Sequence, residues 1–259
     1  MKKNRLYQLM LANRAAPRLF KAEAAPNDGE ATIYIYDIIG EDYWSGGGVT
    51  AKRFLDALAE LGDVDTVHLR INSPGGDVFE ARTIISAMQS SRARFVAHID
   101  GLAASAASFI AAAADEVEMT KGAFLMVHNA WTLVMGNRHD LTDVAAMLAK
   151  VDASIADDYA TKTGSDLETI QGWMDAETWF TAQEALDVGL ADRIAEKAEA
   201  AKNTWNLAAL ANVPDALAQP PAPEPEPEPE PEPSEHDTEQ AAAAARRIRQ
   251  LWLVEKSPA

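Results

Sequence analysis

Apolar and polar positions alternate in two rhythms along the middle of the chain. Residues 32–40, TIYIYDIIG, are β-branched and aromatic and predict a strand. The next segment, TAKRFLDALAEL, spaces Phe54, Leu55, Leu58 and Leu61 as a helix does. TVHLRIN at 66–72 alternates like a strand and is broken by SPGG, after which VFEARTIISAMQS reads as helical. RFVAHID at 94–100 predicts a strand, SFIAAAAD a helix, and AFLMVHN at 123–129 another strand. Over 139–162, Leu141, Val144, Leu148, Val151, Ile155 and Tyr159 step by threes and fours, which predicts one long helix. TAQEALDVGLAD at 181–192 predicts a last helix, closed by Gly189. Strands alternating with helices predict an α/β fold with largely parallel strands.

This pattern divides the chain. Residues 1–30 are basic and Ala-rich and read as a mobile arm; residues 31–200 carry the α/β pattern. Residues 201–239 read as a Pro/Glu-rich linker, because proline fixes φ and successive glutamates repel one another. Residues 240–259 form a short helix candidate with Ile248, Leu251, Trp252 and Leu253 as an apolar patch, suited to docking on a partner or left disordered.

Composition narrows the chemistry. The 259 residues are 47% hydrophobic, enough for a sizeable core. With no cysteine, disulfides, thiolate metal sites and a cysteine nucleophile are excluded. The net charge of −17 disfavours a nucleic-acid partner. No apolar run approaches the ~20 residues of a membrane span, and the basic start has no continuous apolar core of a signal peptide, so a cytoplasmic protein is expected.

Two short stretches can carry chemistry. In INSPGGDV, a strand ends at Asn72 and two glycines permit positive φ, so a backbone N–H there is free either to close a simple turn or to face an anion. In DGLAASAAS, Ser105 sits near the head of a helix and Ser108 almost one turn further in. Taken alone, both serines fit close helix packing as well as nucleophilic chemistry. A serine nucleophile needs a base, and of five histidines His128 closes an apolar strand where a side chain emerges. His68 and His98 lie inside strands, His139 opens the long helix and His236 lies in the linker. The orienting acid would be Asp175 or Glu177 in WMDAETWFTAQEA.

Taken in order, INSPGGDV, DGLAASAAS, MVHN and ETWFTAQEALDVGLAD resemble the Clp-type serine peptidases over residues 31 to about 195. The wording of IDGLAAS and MDAETWFTAQEALDVGLAD is similar to the phage branch, the head maturation (prohead) proteases. The resemblance implies a ClpP/crotonase-like fold of repeated ββα units and a ring-shaped homo-oligomer, with the helix at 139–162 in the handle position where rings meet. It implies Ser105 as nucleophile, His128 as general base, and the N–H groups of Gly76 and Ala106 as the oxyanion hole. Alanine follows the serine where the family usually has methionine, a change the backbone donor tolerates. Glu177 stands where the housekeeping enzyme has aspartate and is preferred over Asp175; on a strand the two would point the same way. No metal or cofactor is implied. The substrates would be phage capsid, scaffold or portal proteins cut in the host cytoplasm or inside a procapsid. The alternatives are a peptidase subunit fed by an ATP-driven unfoldase and a non-catalytic assembly protein of the same fold.

Overall fold

The computed structural model describes residues 5–25, 29–42, 47–199 and 205–217. Its elements run, in chain order, α1 (Arg5–Ala12), β1 (Leu19–Ala24), β2 (Glu30–Tyr36), α2 (Ala51–Leu61), β3 (Thr66–Ser73), α3 (Val78–Ser90), β4 (Arg94–Ala104), α4 (Ala106–Ala112), β5 (Glu116–Lys121), β6 (Phe124–Val127), α5 (Arg138–Thr163), α6 (Leu167–Asp175), β7 (Thr178–Thr181), α7 (Ala182–Asp187) and β8 (Arg193–Glu199). The mixed α/β architecture is the one the apolar spacing predicts.

The sheet order is β1-β2-β3-β4-β5-β8. β2, β3, β4, β5 and β8 run parallel, and β1 closes the edge antiparallel to β2. β4 changes partner along its length. Val96–Ile99 pair with β5, whereas Leu102–Ala104 pair with β6, which in turn pairs antiparallel with β7. The strand therefore runs on past Asp100, the end predicted from sequence, and delivers Ser105 at its end.

Alternation sorts the side chains of the sheet. Ile33 and Ile35, Leu69 and Ile71, Ala97 and Ile99, and Val117 and Met119 are buried in one cluster with Phe54, Ile84, Phe109, Ile155, Tyr159 and Ile170 from the helices. Fully burying a side chain of this size contributes about 1.5–3 kcal/mol. The helices begin where the sequence caps them. Thr50 accepts from Arg53 N at α2, Asn137 and Asp140 make a reciprocal capping box at α5, and Thr181 and Glu184 make another at α7. α5 ends at Gly164 with φ 72°, a conformation glycine adopts without strain.

The opposite face divides in two. Near the strands' N-terminal ends it carries a polar ladder: His68 Nδ1 lies 2.8 Å from His98 Nε2, His98 Nδ1 lies 2.9 Å from Glu118 Oε1, and Glu118 and Glu116 both meet Arg193. Beside it, Tyr36 donates to Asp100 at 2.6 Å and Arg70 Nε donates to the same carboxylate at 2.8 Å. Toward the C-terminal ends this face is apolar, and Ile38, Leu102, Ala104 and Met126 are covered by Met10, Trp205, Leu207 and Leu217.

That second cluster corrects two sequence boundaries. Residues 5–24, expected within a mobile arm, form α1 and the edge strand β1, and Asn13 is buried. Residues 205–217, expected within a linker, pack on the sheet with Trp205 fully buried. Both segments carry apolar residues, and those residues are buried against a surface supplied by distant strands. The Pro/Glu repeat and the helix candidate at 240–259 lie outside the described residues. Among the described residues, no helix is long and apolar enough to cross a membrane.

Candidate active site

The site is assembled where the strands stop. β4 ends in Ala104, and Ser105 turns the chain into α4 with φ 53° and ψ −123°. A non-glycine residue adopts that conformation only when its surroundings hold it. Two contacts do so: Ser105 N donates to Met126 O at 2.9 Å, and Ser105 O accepts from Ser108 N at 2.9 Å. The side chain is thereby lifted off the strand end toward β6. His128 follows β6 immediately and is buried. Its Nε2 lies 2.7 Å from Ser105 Oγ.

Glu177 completes the row. Its Oε2 lies 3.4 Å from His128 Nδ1, and the side chains on both sides of that pair are less than a tenth exposed. With Nε2 accepting the Ser105 proton, the neutral ring carries its hydrogen on Nδ1, facing the carboxylate. Glu177 has φ 48°, so two of the three residues sit in left-handed backbone. Strain concentrated in this way is characteristic of functional sites.

Asp175 is not an equivalent candidate. Residues 175–177 do not form a strand, so the two carboxylates do not share a face. Asp175 is the last residue of α6 and accepts from Asn129 Nδ2 at 2.6 Å, outside the Ser105–His128 row. Nearby, Asp152 accepts from Ala130 N at 2.7 Å, and burial raises its pKa, with the Asp175 charge adding to the shift.

The SPGG turn runs against the serine. Gly75 has φ 90°, and a Cβ placed on it would fall 2.8 Å from Ser105 Cβ and 3.0 Å from Ala106 N. Gly76 is pinned beside Ile39: Gly75 O accepts from Ile39 N and Asp77 N donates to Ile39 O, each at 2.9 Å. A Cβ on Gly76 would fall 1.9 Å from Ile39 O, so only glycine passes. Ala106 is the first residue of α4, and its N–H has no acceptor within the helix. The serine, the histidine, Glu177 and the two-glycine turn thus come together from four separate stretches of sequence.

Ser108 is elsewhere. It is fully buried, and its Oγ lies 2.7 Å from Ser105 O, 2.8 Å from Met126 O and 2.7 Å from Tyr159 OH. It faces the packing between α4 and α5, as its position one turn into the helix predicts.

Two depressions flank the row. One is lined by Gly76, Val78, Phe79, Trp131, Leu133 and Met147 and is largely apolar. The other is lined by His128, Glu177, Asp175, Met174, Ala211 and Asn212. Ala130 and Trp131 border both. The steric part of Gly75 is visible in the sequence as one half of GG. Asn212 gives no sequence signal, because it lies among residues that read as linker.

A serine aligned with a buried histidine and a buried carboxylate on a mostly parallel α/β sheet is the arrangement of a serine hydrolase. The Clp protease family model matches residues 48–198. The ATP-dependent Clp protease proteolytic subunit 2 of Rhodococcus jostii is 32% identical over 140 residues, covering 53% of this chain and 72% of the relative. The proteolytic subunit 1 of Prochlorococcus marinus is 29% identical over 153 residues, covering 57% of this chain and 78% of the relative. The proteolytic subunit 2 of Corynebacterium glutamicum is 34% identical over 140 residues, covering 51% and 67%. The chain belongs to the Clp protease family.

Proposed function

We propose that the chain is a serine endopeptidase with Ser105 as nucleophile, His128 as general base and Glu177 as orienting acid. The observation that carries this reading is the 2.7 Å contact between Ser105 Oγ and His128 Nε2 at the end of a strained strand-to-helix turn. In the reaction, His128 takes the serine proton as Oγ attacks a peptide carbonyl. The N–H groups of Gly76 and Ala106 receive the developing oxyanion, each such donor being worth about 3 kcal/mol. His128 then gives the proton to the leaving amine, and water, activated by the same imidazole, releases the acyl-enzyme. The apolar depression beside Gly76 supports binding of an apolar substrate side chain next to the scissile bond.

The test is labelling of the full-length protein with a fluorophosphonate probe, followed by peptide mapping. Modification at Ser105, lost in Ser105→Ala, supports the reading; modification at Ser108, or none, overturns it.

The biological setting proposed is head maturation in a phage or prophage: cleavage of capsid, scaffold or portal proteins during procapsid assembly in the bacterial cytoplasm. It rests on the wording of IDGLAAS and MDAETWFTAQEALDVGLAD and on the Pro/Glu spacer, which suits a tether. A second setting, a subunit fed by an ATP-driven unfoldase, is favoured by the three relatives named above, each an ATP-dependent Clp protease proteolytic subunit. Cleavage of folded coat protein without an added ATPase distinguishes the first from the second. Assembly into a homo-oligomeric ring is proposed for either. Exposed apolar residues at Leu133, Met135, Leu141 and Met147, on α5 and the loop before it, support a contact between rings there.

A further inference from the structure

Residues 205–217 lie beyond the span matched to the family, yet they pack on the segments that lead into Ser105, His128, Glu177 and the two-glycine turn. At one end Trp205 is fully buried, and its Nε1 donates to Asn72 O at 3.2 Å, just before the chain enters Ser73-Pro74-Gly75-Gly76. Trp205 and Leu207 pack in one cluster with Ala104, the residue before Ser105, and with Met126, whose carbonyl receives the Ser105 N–H. At the other end Trp179 Nε1 donates to Ala211 O at 3.1 Å, and Asn212 Nδ2 donates to Ala176 O at 2.8 Å. Ala211 and Asn212 then form part of the wall of the depression that holds His128 and Glu177.

The Asn212 contact acts on the acid. Ala176 C=O and Glu177 N–H belong to the same peptide plane. Glu177 N donates to Met174 O at 3.2 Å on one side of that plane, and Asn212 holds the oxygen on the other. With the plane gripped on both sides, the 48° φ of Glu177 sets where its side chain points, and it points at His128 Nδ1. Asn212 is itself at φ 52°, a conformation that asparagine tolerates better than most residues.

We propose that residues 205–217 form a strap required by the peptidase and that Asn212 is a positioning residue for Glu177. The inference rests on the reading of Ser105, His128 and Glu177 as the triad. It places a determinant of activity in a part of the chain that the family match does not reach.

The test uses full-length protein and two variants. Asn212→Gly keeps the left-handed backbone and removes the amide; Asn212→Asp keeps the shape and removes the donor. The rate of Ser105 labelling by a fluorophosphonate is followed from pH 5 to pH 9, beside a thermal melt. Both variants are expected to label at least about tenfold more slowly at neutral pH. In Asn212→Gly the acid limb should move to lower pH, because a displaced carboxylate stabilises the imidazolium less; in Asn212→Asp the added charge opposes that movement, so this variant is read by rate alone. Wild-type rates in both variants overturn the proposal. So does a slower rate with an unmoved acid limb in Asn212→Gly, since general loosening scales the profile without shifting it. If the wild-type chain itself is not labelled at Ser105, the triad reading falls, and this inference with it.

Discussion

Ser108 and Tyr159 meet through their hydroxyl groups at 2.7 Å, both out of contact with solvent, and so tie α4 to the long helix α5. The serine has one proton, and two backbone carbonyls lie within reach of it, so Tyr159 is the donor of the pair. Ser108→Ala leaves the Tyr159 hydroxyl buried without its acceptor. The expected cost is about 1–3 kcal/mol of stability, with Ser105 labelling retained. Tyr159→Phe should cost less, because Ser108 keeps its carbonyl acceptors. Urea denaturation with parallel labelling checks both; loss of labelling in a folded Ser108→Ala would contradict the assignment.

The strained turn at Ser105 has its own signature. Ser105→Ala removes the proposed nucleophile but keeps a Cβ at φ 53°, whereas Ser105→Gly removes the strain as well. Both variants are expected to be inactive, with the glycine form the more stable by about 1 kcal/mol. Equal melting midpoints would show that the turn stores no strain.

Gly75→Ala directs a methyl group at Ser105 Cβ and Ala104 O. Displacement of the serine by a fraction of an ångström is expected to lower peptide hydrolysis about a hundredfold, because reaction depends steeply on the alignment of the attacking oxygen. Activity within a factor of two of wild type would mean that the turn does not set the serine's position.

Glu177→Gln and Asp175→Asn separate the two carboxylates. The first removes the charge facing His128 and is expected to slow hydrolysis by at least about a hundredfold. The second breaks the Asn129 contact and is expected to change the rate less than about threefold. The reverse ranking would move the acid to Asp175.

Away from the site, His98 makes stability depend on pH. Burial holds its imidazole below the ordinary value near 6.5, with Arg70 and His68 adding to the shift and Glu118 opposing it. Because the folded pKa is the depressed one, the unfolded chain takes up the proton first as pH falls. The stability from neutral His98 is full above about pH 6.5 and is lost as pH drops through the folded value. His98→Gln should therefore flatten the fall in urea midpoint between pH 7.5 and pH 5. Parallel curves for the two proteins would refute this.

Much of this was legible beforehand, for identifiable reasons. The core strands and α2 and α3 show in the apolar spacing because each buries one regular face; α5 shows by its spacing too, although only its C-terminal half is buried. Ser105, His128 and the two glycines show because short motifs carry them. β1 and α1 do not show, since the segment is basic and Ala-rich, its helix is only two turns long, and its strand is held by the edge of β2. Strand alternation would place Asp175 and Glu177 on one face, but Asp175 closes a helix and Glu177 itself has a positive φ, which the local sequence does not announce. The strap was hidden by its proximity to the Pro/Glu repeat.

The change of partner along β4 governs when the proposed site can assemble. Ser105 stands at the end of a strand of which one half pairs with β5 and the other with β6. His128 lies 23 residues further along the chain and Glu177 a further 49. Closing contacts over such separations is a late and cooperative event. In a nascent or partly unfolded chain the proposed nucleophile and its base are therefore apart, and the proposed activity would begin only as folding completes.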